Sequence, residues 1–139
     1  MNNYISLITK QRNEFNEFPM MFAFSNDQFK EGMMQLGLDE GDTDKIYSIP
    51  GGGFIKKTDS KAFNSLLDRH EKELNDAIES DLTGLEFIYD MFVFELNNHE
   101  YSYTRDSEPA LLGLGLTFSK VIDNPKLLLG FTKACKDCL

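Results

Sequence analysis

Three consecutive glycines followed by two lysines could bind an anion, as glycine loops bind phosphate with backbone N–H groups placed between a strand and a helix. The stretch reads IPGGGFIKKT and contains neither GxGxxG nor GxxxxGKS/T. FIKKT alternates like a strand, so we interpret the glycines as a hairpin turn that needs positive φ. An anion (nucleotide-type) site remains the alternative. Its residues would be Gly51, Gly52, Gly53, Lys56, Lys57 and Arg105.

A second group with acid–base potential closes a long apolar segment. His99 stands beside Glu100 and Tyr101, and Asp90 precedes them. A histidine beside carboxylates can act as a general base or a pH-sensitive group. Tyr103 occupies the position of the second histidine of HExxH, and no serine or cysteine nucleophile motif is present. We interpret the segment as a polar helix end in which His99 bonds the backbone, with a small hydrolase as the alternative.

The two cysteines form a single CxxC near the end of the chain. Cys135 and Cys138 could bind zinc only together with His70 and His99, and this spacing matches no zinc module. A redox CxxC needs a helix N-terminus to lower a thiol pKa, whereas this pair lies toward a predicted helix C-terminus. We therefore expect two reduced thiols, no metal and no cofactor.

The charge of the chain restricts its partners. With 23 acidic and 14 basic residues, the net charge is −9. Nucleic-acid backbones require clustered lysine and arginine, so we expect no direct nucleic-acid binding. An acidic surface instead favours a protein partner with a basic surface. The predicted acidic interaction face consists of Asp39, Glu40, Asp42, Asp44, Glu71, Asp76 and Glu79.

The apolar pattern predicts an α+β fold, mainly helical, in a single domain over residues 1–139. Five or six helices would surround a small antiparallel sheet formed by residues 20–25, 45–50 and 52–58. The longest helix covers 58–80, and the most buried follows Asp81 or Thr83. Leu-Gly-Leu at 36–38 and at 114–116 predicts two helix ends with a capping glycine.

The hydropathy of the sequence bears on whether the protein enters a membrane, is secreted or stays in the cytoplasm. No run of eighteen apolar residues is present, and the first residues become polar too soon for a secretory signal. We therefore expect a cytoplasmic protein that does not enter a membrane. The oligomeric state is left open, with a dimer among the options.

Several stretches, among them NEFPMMFAFSNDQFKEGM, TDKIYSIPGGGFIKKTDS and IYDMFVFELNNHEY, resemble a family of small uncharacterised acidic proteins from bacteriophages and bacterial mobile elements. No activity is assigned to that family, so the resemblance transfers no catalytic residue. It implies a context in which small acidic proteins inhibit host defence. With the charge pattern, this predicts a non-enzymatic binding protein that inhibits a host defence or nucleic-acid-binding protein.

Overall fold

The structure, a computed structural model, describes residues 2–139, which form eight α-helices, two short 3-10 helices and one three-stranded sheet. This confirms the predicted α+β class, with more helices than the five or six expected because the C-terminal third divides into short pieces. The elements are α1 Asn3–Glu17, β1 Met21–Phe22, α2 Asn26–Gln35, β2 Ile46–Ile49, β3 Gly53–Lys56, α3 Ser60–Ser80, α4 Phe87–Asn98, α5 Tyr101–Thr104, α6 Glu108–Gly113, α7 Phe118–Ile122 and α8 Pro125–Asp137.

The chain divides into two compact units. Residues 2–10 and Lys72–Leu139 belong to the first unit, and Gln11–Glu71 form the second. The division falls inside α1 and α3. Across residues 2–139, no helix combines the length and the apolar content that crossing a membrane requires.

Helix α4 lies at the centre of the first unit, as its apolar sequence predicts. Ile88, Met91 and Phe92 are fully buried. Phe92 meets Phe131 of α8 edge-on, with ring centroids 5.2 Å apart. The two helices approach closely because Gly130 has no side chain: a Cβ there would lie 2.7 Å from Ile88 Cγ2. Truncating a buried side chain such as Phe92 to alanine typically costs about 3–5 kcal/mol.

The second unit contains the antiparallel sheet, in the order β1-β3-β2. Met21 pairs with Phe54, and Ile49 pairs with Gly53. Two small apolar clusters cover this sheet. One is centred on Met21, Met33 and Leu36, and the other on Ile49, Ile55 and Phe63.

Both Leu-Gly-Leu stretches end helices as predicted. Gly37 has φ +75, and Leu38 N–H donates to the carbonyl of Met33 at 2.9 Å. Gly115 has φ +69, and Leu116 N–H donates to the carbonyl of Leu111 at 2.9 Å. This pairing defines the Schellman motif, which satisfies carbonyls that the helix leaves open.

Candidate functional site

The glycine stretch is the turn of a β-hairpin. Pro50, Gly51 and Gly52 connect β2 to β3 between the paired residues Ile49 and Gly53. Gly51 and Gly52 have φ values of +87 and +84, which side-chain-bearing residues rarely adopt. The predicted hairpin is therefore confirmed, and backbone geometry accounts for two of the three glycines.

Aromatic packing supplies a second reason for glycine. A Cβ on Gly52 would lie 2.6 Å from the ring of Phe24, and one on Gly53 would lie 2.7 Å from the ring of Phe22. The backbone N–H of Ala23 also donates to the Gly52 carbonyl at 3.1 Å. The residues after β1 therefore lie directly on the turn.

The predicted anion-binding cations already have contacts within the chain. Lys56 Nζ lies 4.0 Å from Asp59 Oδ2. Lys57 Nζ lies over the Tyr47 ring, 5.0 Å from its centroid. Arg105 belongs to the other unit and has a left-handed backbone with φ +60. These contacts compete with an anion for both lysines, and an anion site at the hairpin stays a prediction.

The acidic residues 39–44 occupy the connection between α2 and β2. Asp42 forms contacts within this connection: its carboxylate accepts from the Asp39 N–H at 2.9 Å and lies 3.5 Å from Lys45 Nζ. Asp39, Glu40 and Asp44 are exposed. Among residues 2–139, none of these three forms an ion pair. This connection therefore presents carboxylates to solvent in excess of its single lysine.

Helix α3 carries the remaining predicted acidic positions on its surface. Asp76 accepts from Lys72 Nζ at 2.7 Å, an i,i+4 contact of the kind that helices form readily. Glu71 and Glu79 are exposed, and neither forms an ion pair within the part of the chain that the structure describes. Of the predicted acidic positions, Asp39, Glu40, Asp44 and Glu71 in the second unit and Glu79 in the first form no ion pair among the described residues, and their union in one face stays a prediction.

His99 belongs to a polar group that the sequence did not predict. Its Nδ1 lies 2.9 Å from the backbone oxygen of Glu95 and 3.9 Å from the Glu95 carboxylate. A carbonyl oxygen only accepts, so Nδ1 carries the hydrogen of this bond. Tyr4 donates its hydroxyl to Glu95 Oε1 at 3.0 Å. Burial, reinforced by the Glu95 carboxylate, raises the pKa of Tyr4.

The other residues of the predicted polar cluster lie elsewhere. Asp90 and His99 are nine positions apart, which at the α-helical rise corresponds to about 13 Å along the axis. Glu100 follows in a left-handed conformation with φ +59 and is exposed. Tyr101 begins α5 and bonds the thiol of Cys135. The structure therefore groups His99 with Glu95 and Tyr4 rather than with Asp90, and hydrolysis at this segment stays a prediction.

The two thiols lie in the last turn of α8 and at its end. Burial raises the pKa of Cys135 despite an opposing hydrogen bond from Tyr101. Burial and the neighbouring Asp137 carboxylate raise the pKa of Cys138. Both shifts favour the protonated thiol, which is a weak nucleophile and a weak metal ligand.

Asp81 organises the connection between α3 and α4. Its side chain is 2% exposed. Oδ1 accepts from the N–H groups of Thr83 at 3.1 Å and Gly84 at 2.8 Å. Oδ2 accepts from those of Glu86 at 3.1 Å and Ile88 at 3.0 Å. The expected start of α4 at Asp81 or Thr83 is therefore wrong: the carboxylate folds the backbone into a loop, and the helix begins at Phe87.

Comparison with known proteins shows the family of the chain. A model described as a family of unknown function (DUF7659) matches residues 3–137. The chain belongs to this family. The match extends from α1 to the last turn of α8 and so includes both units of this DUF7659 protein. The predicted membership of an uncharacterised family is thereby confirmed. No curated protein matches the chain, and no solved structure matches it.

Sequence reasoning missed the roles of two residues that organise this DUF7659 chain. Glu95 is the only acid in the apolar run MFVFEL and stands four residues before His99, a spacing that places both on one helix face. Asp81 precedes Thr-Gly, a pattern typical of side chains that bond the backbone two residues later. Both sequence signals were present, but neither revealed which groups the two carboxylates contact in the folded chain.

Proposed function

We propose that the protein is a non-enzymatic binding protein whose partner is a protein with a basic surface. One observation carries the proposal. Asp39, Glu40, Asp44, Glu71 and Glu79 are exposed, and each forms no ion pair with another of the residues 2–139. Glu79 also interacts electrostatically with Lys72, and the charge of the other four is available to cations from outside the chain.

The local balance of charge supports this proposal. Residues 39–45 contain four carboxylates and a single lysine. Carboxylates that repel each other in the free protein are stabilised when a cationic surface approaches. Such attraction accelerates encounter and falls as salt screens it, with a Debye length of about 10 Å at 0.1 M. Strong dependence on ionic strength is the expected signature of this interaction.

A more specific role follows from the resemblance to phage and mobile-element proteins. We propose that the chain comes from such an element and that its partner is a host defence or nucleic-acid-binding protein. A basic groove that attracts phosphates also attracts a set of protein carboxylates. In this role, the acidic residues occupy the surface that nucleic acid would otherwise bind.

The experiment compares two variants with the same loss of charge. The face variant combines Asp39→Asn, Glu40→Gln, Glu71→Gln and Glu79→Gln. The control variant combines four changes at exposed acids outside the predicted face: Glu17→Gln, Glu31→Gln, Glu86→Gln and Asp123→Asn. Both variants and the unmodified protein are immobilised, exposed to bacterial lysate at low salt and eluted with increasing salt. Mass spectrometry identifies the eluted proteins.

The expected result is capture of basic proteins by the unmodified protein and by the control variant, with elution at moderate salt. The face variant should lose that capture. Two results would contradict the proposal: no basic protein is captured even at low salt, or the face variant captures the same proteins as the control variant. Because both variants lose four charges, a difference between them reports position rather than net charge.

A further inference from the structure

An open groove of about 410 Å³ lies beside α6 and the start of α7. It is lined by the buried Leu111 and by the exposed Leu112 and Phe118, which we call its walls. Asp106 and Glu108 also line it, and we call this acidic pair its rim. We call this feature the α6–α7 groove. All of its residues belong to the first unit.

The walls of the groove expose large apolar side chains. Leu112 is 66% exposed, and Phe118 is 56% exposed. Ile122 is exposed too and lies four residues after Phe118 on α7, which places both on one helix face. Large exposed apolar side chains that line one groove are typical of interaction sites on proteins. The groove therefore has the character of a docking surface.

The rim adds negative charge. Asp106 and Glu108 are exposed, and neither forms an ion pair among the described residues. Among the described residues, these carboxylates form one hydrogen bond: Asp106 Oδ1 accepts from the Glu108 N–H at 3.0 Å. The nearby cations Arg105 and Lys120 do not line the groove. An occupant would therefore meet apolar walls and an anionic edge.

We propose that the α6–α7 groove binds an amphipathic helix of a partner protein, with apolar side chains on one face and lysine or arginine beside them. The apolar face would cover Leu112 and Phe118, and the cations would meet Asp106 and Glu108. A helix in a groove is the mode that suits this surface, because strand addition needs a sheet edge and the described part of the first unit has no strand.

Charge complementarity selects this occupant over the others. A second copy seated two-fold on the groove would bring the same carboxylates together, and each copy carries a net charge of −9. Anionic lipid headgroups and nucleic-acid phosphates are repelled by the rim in the same way. A cationic amphipathic segment would place apolar side chains against the walls of the groove and positive charges beside the carboxylates of its rim.

The test uses a fluorescein-labelled synthetic peptide about 18 residues long, the length at which isolated helices become stable. Leucines repeat at i, i+3, i+4 and i+7, and lysines fill the other positions. One control peptide replaces every lysine with glutamate. A second keeps the composition but disperses the leucines around the helix. Binding is followed by fluorescence anisotropy at low and high salt.

Two variants of the protein probe the groove, and one controls for exposed leucine in general. Leu112→Ser should weaken binding of the basic amphipathic peptide about tenfold, because it removes a large apolar contact. Glu108→Gln should weaken it about threefold at low salt, with little effect at high salt. Leu82→Ser removes a leucine that is 87% exposed outside the groove and should leave binding unchanged. Circular dichroism checks that each variant is folded.

Any one of the following results would overturn the proposal. The basic peptide does not bind, or the acidic or dispersed peptide binds equally well. The Leu112→Ser and Leu82→Ser variants bind the basic peptide equally well. Sedimentation shows a dimer that Leu112→Ser dissociates, which assigns the groove to a second copy. Anionic vesicles bind the protein and Leu112→Ser abolishes that binding, which assigns it to a membrane.

This inference uses residues other than the acidic face and is tested separately from the proposed function. The face variant should bind the amphipathic peptide within about twofold of the unmodified protein, because Asp106 and Glu108 are intact. If it loses peptide binding as strongly as Leu112→Ser does, the attraction is diffuse and the groove proposal is wrong. Loss of lysate capture with retained peptide binding contradicts only the proposed function.

Discussion

Replacing Asp81 with asparagine tests how one buried carboxylate maintains the loop before α4. The substitution keeps the size of the side chain and one acceptor oxygen, which can still accept from Thr83 and Gly84. The amide nitrogen then faces the N–H groups of Glu86 and Ile88, both of which are donors. Asp81→Asn therefore removes two charge-assisted hydrogen bonds without creating a large cavity.

The magnitude follows from those two bonds. A hydrogen bond to a charged group contributes about 1.5–3 kcal/mol. The bond from Ile88 is buried, so water cannot replace it, whereas the bond from Glu86 is only partly buried and can be replaced by water in part. We expect Asp81→Asn to lower the free energy of unfolding by about 3 kcal/mol. At this chain length, that corresponds to a Tm lower by about 10 °C.

The pH dependence has a definite sign. Burial opposes ionisation of Asp81, but the N–H groups of Ile88, Gly84, Glu86 and Thr83 outweigh it and lower its pKa from the ordinary value of 3.8. A lowered folded-state pKa adds stability above the unfolded pKa, and this stability is lost as pH falls through the folded pKa. The difference in free energy of unfolding between the unmodified protein and Asp81→Asn therefore has its full value at neutral pH and shrinks below about pH 4.

The assay is urea unfolding followed by circular dichroism at neutral pH and at a series of acidic pH values. Glu71→Gln is the control, because Glu71 is an exposed acid of α3 that forms no ion pair among the described residues, and its unfolding midpoint should match that of the unmodified protein. An unfolding midpoint of Asp81→Asn equal to that of the unmodified protein at neutral pH would contradict the proposed role of the carboxylate. A difference in midpoint that persists unchanged when the carboxylate is protonated would contradict it equally.

Three further predictions concern the hairpin, the buried tyrosine and the thiols. Gly52→Ala should lower the free energy of unfolding by at least about 1 kcal/mol in urea titrations, because alanine disfavours positive φ and its Cβ would press on the Phe24 ring. Tyr4→Phe should cost about 1–3 kcal/mol, because it leaves the buried carboxylate on α4 without its donor. At neutral pH, iodoacetamide should alkylate Cys135 and Cys138 more slowly than an unstructured cysteine peptide, as mass spectrometry can measure, because their raised pKa values leave less thiolate.

Each of these predictions has a matched control. Gly41 lacks a positive φ and has open space at its Cβ, so Gly41→Ala should not share the cost of Gly52→Ala. Tyr103 is 87% exposed, so Tyr103→Phe should leave stability unchanged. For the thiols, unfolding in urea should raise the alkylation rate to that of the peptide. Equal behaviour of test and control in any of the three pairs contradicts the corresponding argument.

Local structure was predictable where a residue determines its own backbone. The hairpin followed from glycines that tolerate positive φ, and both Leu-Gly-Leu helix ends followed from the same freedom at Gly37 and Gly115. The burial of α4 followed from an apolar run too long to leave exposed. The acidic face could be proposed from sequence because charge is a property of composition. For the turn and the helix ends, the decisive interaction lies within a few residues.

The tertiary structure decided which distant groups meet. Tyr4 and Glu95 are 91 positions apart, and their hydrogen bond exists only because their helices pack into one core. The α6–α7 groove likewise depends on how two short helices meet around Leu112 and Phe118. Sequence spacing specifies neighbours along a helix or strand, whereas contacts between elements depend on the packing of the whole core. The sequence by itself therefore determined the turns, the caps and the charge, and only the folded chain determined which side chains share a site.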